Sequence, residues 1–271
     1  VDLLLNHKSS PKLHLLGENG RTKVNVKMPF VQELHTQVDA RATSPGMGST
    51  GRPLEPQKLA PHELFTAYPN LENLSVSVNR LRGGCVMGGM PCTRILPLSL
   101  SKEETFPPLQ SLSLSGYHIT GEEVSLWTDK FPWHNLRSLS LGPQDNLGFL
   151  ELATGNVHGL NNLTVTSYRD FDSKTKLDAL LSSFNTLRSL TVKGYIPSLA
   201  AVAHHPNLRH LSLHAIDHPD RERRTLNVKE IEDLDQHCPE LTVLKIDLNP
   251  DGTWVSHENV PLGDEANLFP F

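Results

Sequence analysis

One pattern restricts the fold of this chain more than any other feature: three apolar residues spaced as L-x-x-L-x-L. Complete copies stand at Leu71, Leu74 and Val76; Leu109, Leu112 and Leu114; Leu136, Leu139 and Leu141; Leu160, Leu163 and Val165; Leu187, Leu190 and Val192; Leu208, Leu211 and Leu213; and Leu241, Leu244 and Ile246. Degenerate copies lie at Val31 to Thr36 and near Leu13 to Leu16. Successive first leucines are 38, 27, 24, 27, 21 and 33 residues apart. The middle values fall in the roughly 20–29-residue range of leucine-rich repeats, and the outer ones imply insertions.

The alternating half of each copy reads as a short strand with one buried face. One such strand cannot bury its leucines alone, but stacked neighbours can. The expected fold is therefore α/β: an irregular leucine-rich-repeat solenoid, or horseshoe, spanning residues 1–271 as a single domain. Short parallel strands line its concave face, and helices and loops return along the convex face. Suitable return segments are Gly121 to Lys130, Lys174 to Phe184 with an apolar stripe at helical spacing, Ile196 to His205 with Pro197 near its start, and Thr225 to His237.

Three residues after the last strand position, a regular repeat carries asparagine or cysteine. Asn79 and Asn249 fill that slot, but Tyr117, Tyr168, Tyr195 and Ile216 occupy it elsewhere. A broken asparagine ladder, with aromatic packing in its place, predicts an irregular and shallowly curved array. Residues 44–61 contain four prolines and three glycines, and residues 80–97 are also glycine-rich. Both segments read as flexible surface insertions. Residues 255–271 read as a tail or a cap on the open end of the core.

The segment Val228, Ile231, Leu234, His237, Cys238, Pro239 and Leu241, in which a helix feeds a strand through His-Cys-Pro-x-Leu, resembles F-box/leucine-rich-repeat proteins. The continuation through Asp247, Asn249, Asp251, Gly252 and Trp254 resembles fungal members. The likeness covers roughly residues 60 to 255. It implies the substrate-binding part of an SCF-type ubiquitin ligase. In that family an F-box binds the Skp1 adaptor and the repeats hold the target. No F-box segment is visible in this chain, and Ala60 to Leu64 is only a faint echo. Skp1 is thus an expected partner only where an F-box lies upstream.

Composition narrows the remaining classes. A net charge of −5 and a pI near 6.3 disfavour a nucleic-acid partner. No apolar run approaches the roughly 20 residues that span a bilayer. Three scattered cysteines, Cys85, Cys92 and Cys238, suggest free thiols in a reducing, intracellular compartment, cytoplasm or nucleus. Val1 is not a start methionine and no signal segment follows, so the chain reads as a fragment or a processed product.

Strand residues between the leucines alternate to the open face. Ser75, Ser113, Ser140, Thr164, Thr191, Ser212 and Lys245 hold its central position. Small polar residues suit a crowded sheet as well as a hydrogen-bonding floor, so the rim is the stronger candidate. The residues expected to touch a protein or peptide are Tyr168, Arg169, Asp170, Lys193, His210, His214 and Asp247.

Histidines 204, 205, 210, 214 and 218 cluster, but four residues of strand separate His210 from His214 by about 13 Å, too far for one metal. The cluster is expected to be solvated, with no metal and no cofactor. The mixed charge run 220–224 reads as a solvated loop. The sequons at Asn73 and Asn162 arise from the repeat itself. Catalytic motifs such as G-x-S-x-G, the P-loop and H-E-x-x-H do not occur. The expectation is a monomeric, non-enzymatic recognition module. A scaffold unrelated to ubiquitin is the alternative, and a hydrolase with an unfamiliar site is a third reading.

Overall fold

The structure of the chain is a computed structural model. It describes residues 12–16, 29–40, 68–80, 105–117, 119, 121–143, 147–167, 171–216 and 224–247. The expected insertions at 44–61 and 80–97 lie outside these residues, apart from Arg80 at the end of a strand, and so does the tail at 255–271.

Nine strands form one open sheet in chain order. They are β1 (Lys12–Leu16), β2 (Glu33–Ala40), β3 (Asn73–Arg80), β4 (Ser111–Ser115), β5 (Ser138–Leu141), β6 (Asn162–Thr166), β7 (Ser189–Gly194), β8 (His210–Ala215) and β9 (Val243–Ile246). Every neighbouring pair is parallel. The two degenerate repeat copies supply β1 and β2.

Register follows the sequence repeat. Leu34, Leu74, Leu112, Leu139, Leu163, Leu190, Leu211 and Leu244 form one row across the sheet. A second row runs from Val76 through Leu114, Leu141, Val165, Val192 and Leu213 to Ile246. A one-residue slip in any strand would turn its leucines away from the core, so burial itself fixes the alignment. The first leucine of each copy, just before its strand, is also buried from Leu71 to Leu208.

A second regularity ties the strands together at their N-terminal ends. The carbonyl oxygen of the residue after that first leucine accepts two backbone N–H bonds from the next copy. Glu72 accepts from Gln110 and Ser111, Arg137 from Asn161 and Asn162, and Arg188 from Arg209 and His210, at 2.7–3.0 Å. Gln32, Gln110, Asn161 and Arg209 repeat the arrangement. These bonds satisfy backbone groups that would otherwise be stranded where the chain turns into the sheet. In the slot that regular repeats give to asparagine, Tyr195 is buried and Tyr117 packs edge-on to Trp127, whereas Ile216 is exposed.

Helices cover the leucine face. They are α1 (Gly121–Lys130), α2 (Leu147–Ala153), α3 (Phe171–Ser182), α4 (Leu199–Val202) and α5 (Val228–His237). Their buried residues, among them Trp127, Leu150, Leu177, Val202 and Leu234, belong to one core with the strand leucines. Phe106, Phe131 and Phe149 surround Trp127 at ring separations of 4.9–5.1 Å. The Trp133 Nε1 donates to the Trp127 carbonyl at 2.8 Å.

The return segments differ from expectation in four places, the first being α3, which runs over Phe171–Ser182 and not from Lys174 to Phe184. The segment 196–205 forms only the short helix α4, Leu199–Val202, and Pro206 disfavours helical geometry at the end of the segment, at His205. The helix expected from Thr225 starts at Val228, where Asn227 and Glu230 form a reciprocal capping box. Helix α2 was not expected at all.

Candidate functional site

The opposite face of the sheet carries no helix among the described residues. Ser75, Ser113, Ser140, Thr164, Thr191 and Ser212 form its central row, each half-buried, and exposed Lys245 ends it. Each sits one residue from a core leucine, so the alternation that buries one row uncovers the other. The face is uneven in charge. At one end His35 Nε2 lies 2.7 Å from Glu33 Oε1. The middle strands β4 to β6 present serine, threonine and asparagine. Lysine, histidine and aspartate gather on β7 to β9.

Four of the expected partner-binding residues fall in this last group. Lys193 and His214 are register partners on β7 and β8, and Asp247 directly follows β9. His210 stands on the same face of β8, four residues before His214, and is exposed. Tyr168, Arg169 and Asp170 lie outside the described residues.

The closest grouping runs Ser212, His214, Asp247. Ser212 Oγ is 3.0 Å from His214 Nε2, and His214 Nδ1 is 3.0 Å from Asp247 Oδ1. The other carboxylate oxygen accepts the Ala215 backbone N–H at 2.8 Å. A carboxylate only accepts, so Asp247 holds the imidazole proton on Nδ1 and leaves the Nε2 lone pair toward Ser212. The His214 side chain is 37% exposed and that of Asp247 15%. Ser212 was visible in the sequence only as part of the floor. The signal that finds it is Ser-x-His on one strand, with an aspartate in the same row of the next.

The histidine cluster needs correction. His204 and His210 are exposed, but His205 is fully buried and tilted against Phe184 at a ring separation of 5.1 Å. Neither of its ring nitrogens meets a hydrogen-bond partner among the described residues. Burial, with a smaller contribution from His204, lowers its pKa from 6.5 to about 4, against an opposing pull from polar backbone of Asn185 and Leu181 that lies near the ring without meeting hydrogen-bond geometry. His205 lies in the short segment that links α4 to β8. His218 lies outside the described residues, and so does the charge run 220–224 apart from exposed Arg224.

No group of three or more histidine, cysteine, aspartate or glutamate side chains among the described residues could hold a metal. Burial raises the pKa of the Cys238 thiol, which suppresses its reactivity, and Cys85 and Cys92 lie outside the described residues. The sequon residues Asn73 and Asn162 both open strands. An open cleft of about 340 Å³ lies at the other end of the strands, lined by Pro108, Gln110, Asn135 and Arg137. Arg137 is held there by the carbonyls of His134 and Gly159. Among the described residues no helix is long and apolar enough to cross a membrane.

No family model matches the chain, and no curated protein and no solved structure matches it either.

Proposed function

We propose that the chain is an irregular leucine-rich-repeat solenoid, and that its uncovered sheet face and the rim at β7 to β9 bind a protein or extended peptide. One observation carries this reading: a continuous polar row crosses the sheet from Ser75 to Lys245, and the described helices lie on the leucine face. Small side chains leave room for a ligand backbone, and Lys193, Lys245 and Asp247 offer charged contacts at one end, with the His210 ring beside them. Recognition of this kind requires no chemistry, metal or cofactor.

The resemblance to F-box/leucine-rich-repeat proteins makes the substrate-binding part of an SCF-type ubiquitin ligase the favoured setting. The thiols and net charge of −5 suit an intracellular, monomeric protein whose ligand is not nucleic acid. The test is affinity capture of this chain, and of the full-length protein wherever its gene encodes further sequence, each beside a Ser140→Arg, Thr191→Arg variant. Proteins captured by the unsubstituted chain and lost from the variant, at unchanged melting temperature, would be ligands of the floor. Recovery of the Skp1 adaptor and cullin by the full-length protein would support the ligase setting. Their absence, with other proteins enriched, leaves a scaffold. An identical catch from variant and parent would sink the floor as the binding surface.

A further inference from the structure

The hydrogen-bonded run on β8 and β9 has the polarity of an activated nucleophile. Asp247 is itself oriented, since one oxygen is held by the Ala215 N–H and the other takes the proton of His214 Nδ1. The remaining ring nitrogen lies 3.0 Å from Ser212 Oγ, within reach of its proton. Two exposed lysines flank the pair: Lys245 is the register partner of Ser212 on β9, and Lys193 that of His214 on β7.

We propose that Ser212 is the nucleophile of an acyl-transfer site, with His214 as its general base, acting on activated carboxylic esters that carry negative charge. This activity goes beyond recognition and does not rest on it. Ser212 Oγ attacks the ester carbonyl carbon, forming a C–O bond while its proton passes to His214 Nε2 and the carbonyl electron pair moves onto oxygen. The adduct collapses by breaking the bond to the leaving alcohol, which takes the proton from Nε2. Water, deprotonated by the same nitrogen, then releases the acid and restores Ser212. The ammonium groups of Lys245 and Lys193 supply the positive charge that favours an anionic substrate and the developing oxyanion. The site is open to solvent, where such charges are weaker than in a closed pocket, and this restricts the chemistry to esters with good leaving groups.

Asp247 is a positioning residue. The test is labelling of the folded chain with a fluorophosphonate, in which Ser212 Oγ bonds to phosphorus and fluoride departs, with the modified residue located by mass spectrometry. The expected result is a single label on Ser212, lost in Ser212→Ala and slowed by about a hundredfold in His214→Gln. Melting temperature should stay unchanged in both. Nitrogen NMR of histidine-labelled protein should show His214 protonated on Nδ1, and Asp247→Asn should shift that tautomer and slow labelling together. The wild-type chain should hydrolyse p-nitrophenyl hemisuccinate faster than p-nitrophenyl acetate, a preference lost in Lys193→Ala, Lys245→Ala. Failure of folded wild type to label at Ser212, or an unchanged rate in His214→Gln, overturns the proposal. Equal hydrolysis of the two esters overturns its charge selectivity.

Discussion

Acid should weaken this fold through one side chain, His205. Its ring is fully buried against Phe184, and burial lowers its pKa from 6.5 to about 4. An unfolded chain takes up a proton near pH 6.5, while the folded one resists until about 4. Between those values the unfolded state binds more protons, so stability rises with pH. The contribution is intact above the unfolded pKa and is lost as pH falls toward the folded one. A shift of that size has a ceiling of about 3 kcal/mol, of which about 2 kcal/mol is reached near pH 5. Local relaxation and water entry reduce this, so a loss of about 1–2 kcal/mol between about pH 7.5 and pH 5 is expected from His205. The assay is urea unfolding of wild type and His205→Leu at both pH values. Leucine is close in size and removes two buried nitrogens that lack partners, so the variant should match or exceed wild type at the higher pH. All other titrations are common to both proteins and cancel in the comparison. If both lose the same stability on acidification, His205 is not held neutral by the core, and the reasoning fails.

Two backbone and packing predictions follow from the sheet. Gly194, at the end of β7, has φ of +118°, and an added Cβ would fall on the Ser167 carbonyl oxygen. Gly194→Ala should therefore cost about 3 kcal/mol or more, read as a drop in urea midpoint, and a change under about 1 kcal/mol would show that the turn adapts. Leu163 lies at the centre of its row between Leu139 and Leu190 and is 1% exposed. Leu163→Ala should cost about 3–4 kcal/mol by denaturant unfolding, whereas Thr164→Ala, next to it on the open face, should stay within about 0.5 kcal/mol.

Much of the sheet was legible because its period is written directly in the chain. Aligning the repeat copies predicts which leucines pair, and the register agrees as far as the degenerate copy at β2, while at β1 it is Leu13, not Leu16, that pairs with Leu34. The helix Gly121–Lys130 was legible for the same reason. Helix α2 was not, because Gly148 near its start interrupts the pattern, and its apolar residues, Phe149, Leu150 and Leu152, pack into a space that only the assembled core creates. His205 was misread because its type and its neighbour His204 suggest solvent, while its burial is decided by the route of the chain from α4 to β8. The Ser212 grouping lay between these cases. His214 and Asp247 were singled out as rim residues, yet aligning Leu211 with Leu244 already places Ser212 beside Lys245 and His214 beside Asp247.

The two faces of the sheet answer to different constraints, and this bears on where function is recorded. On the leucine face, side-chain volume is fixed by neighbours on both adjacent strands and by helices, so a change there is paid in stability. On the open face, a central-row residue has neighbours only to either side among the described residues, and any small residue that tolerates extended backbone would serve the fold. Stability alone would thus allow serine and threonine from β3 to β9. Instead that composition holds through β8 and gives way to Lys245, with Lys193, His210, His214 and Asp247 nearby. Packing does not call for these ionisable groups, and His214 and Asp247 are held in one geometry by three hydrogen bonds. A fixed arrangement of ionisable side chains on a surface that the fold leaves unconstrained is what a binding or reacting partner would select. The rows of β7 to β9 are therefore where substitutions should separate function from stability.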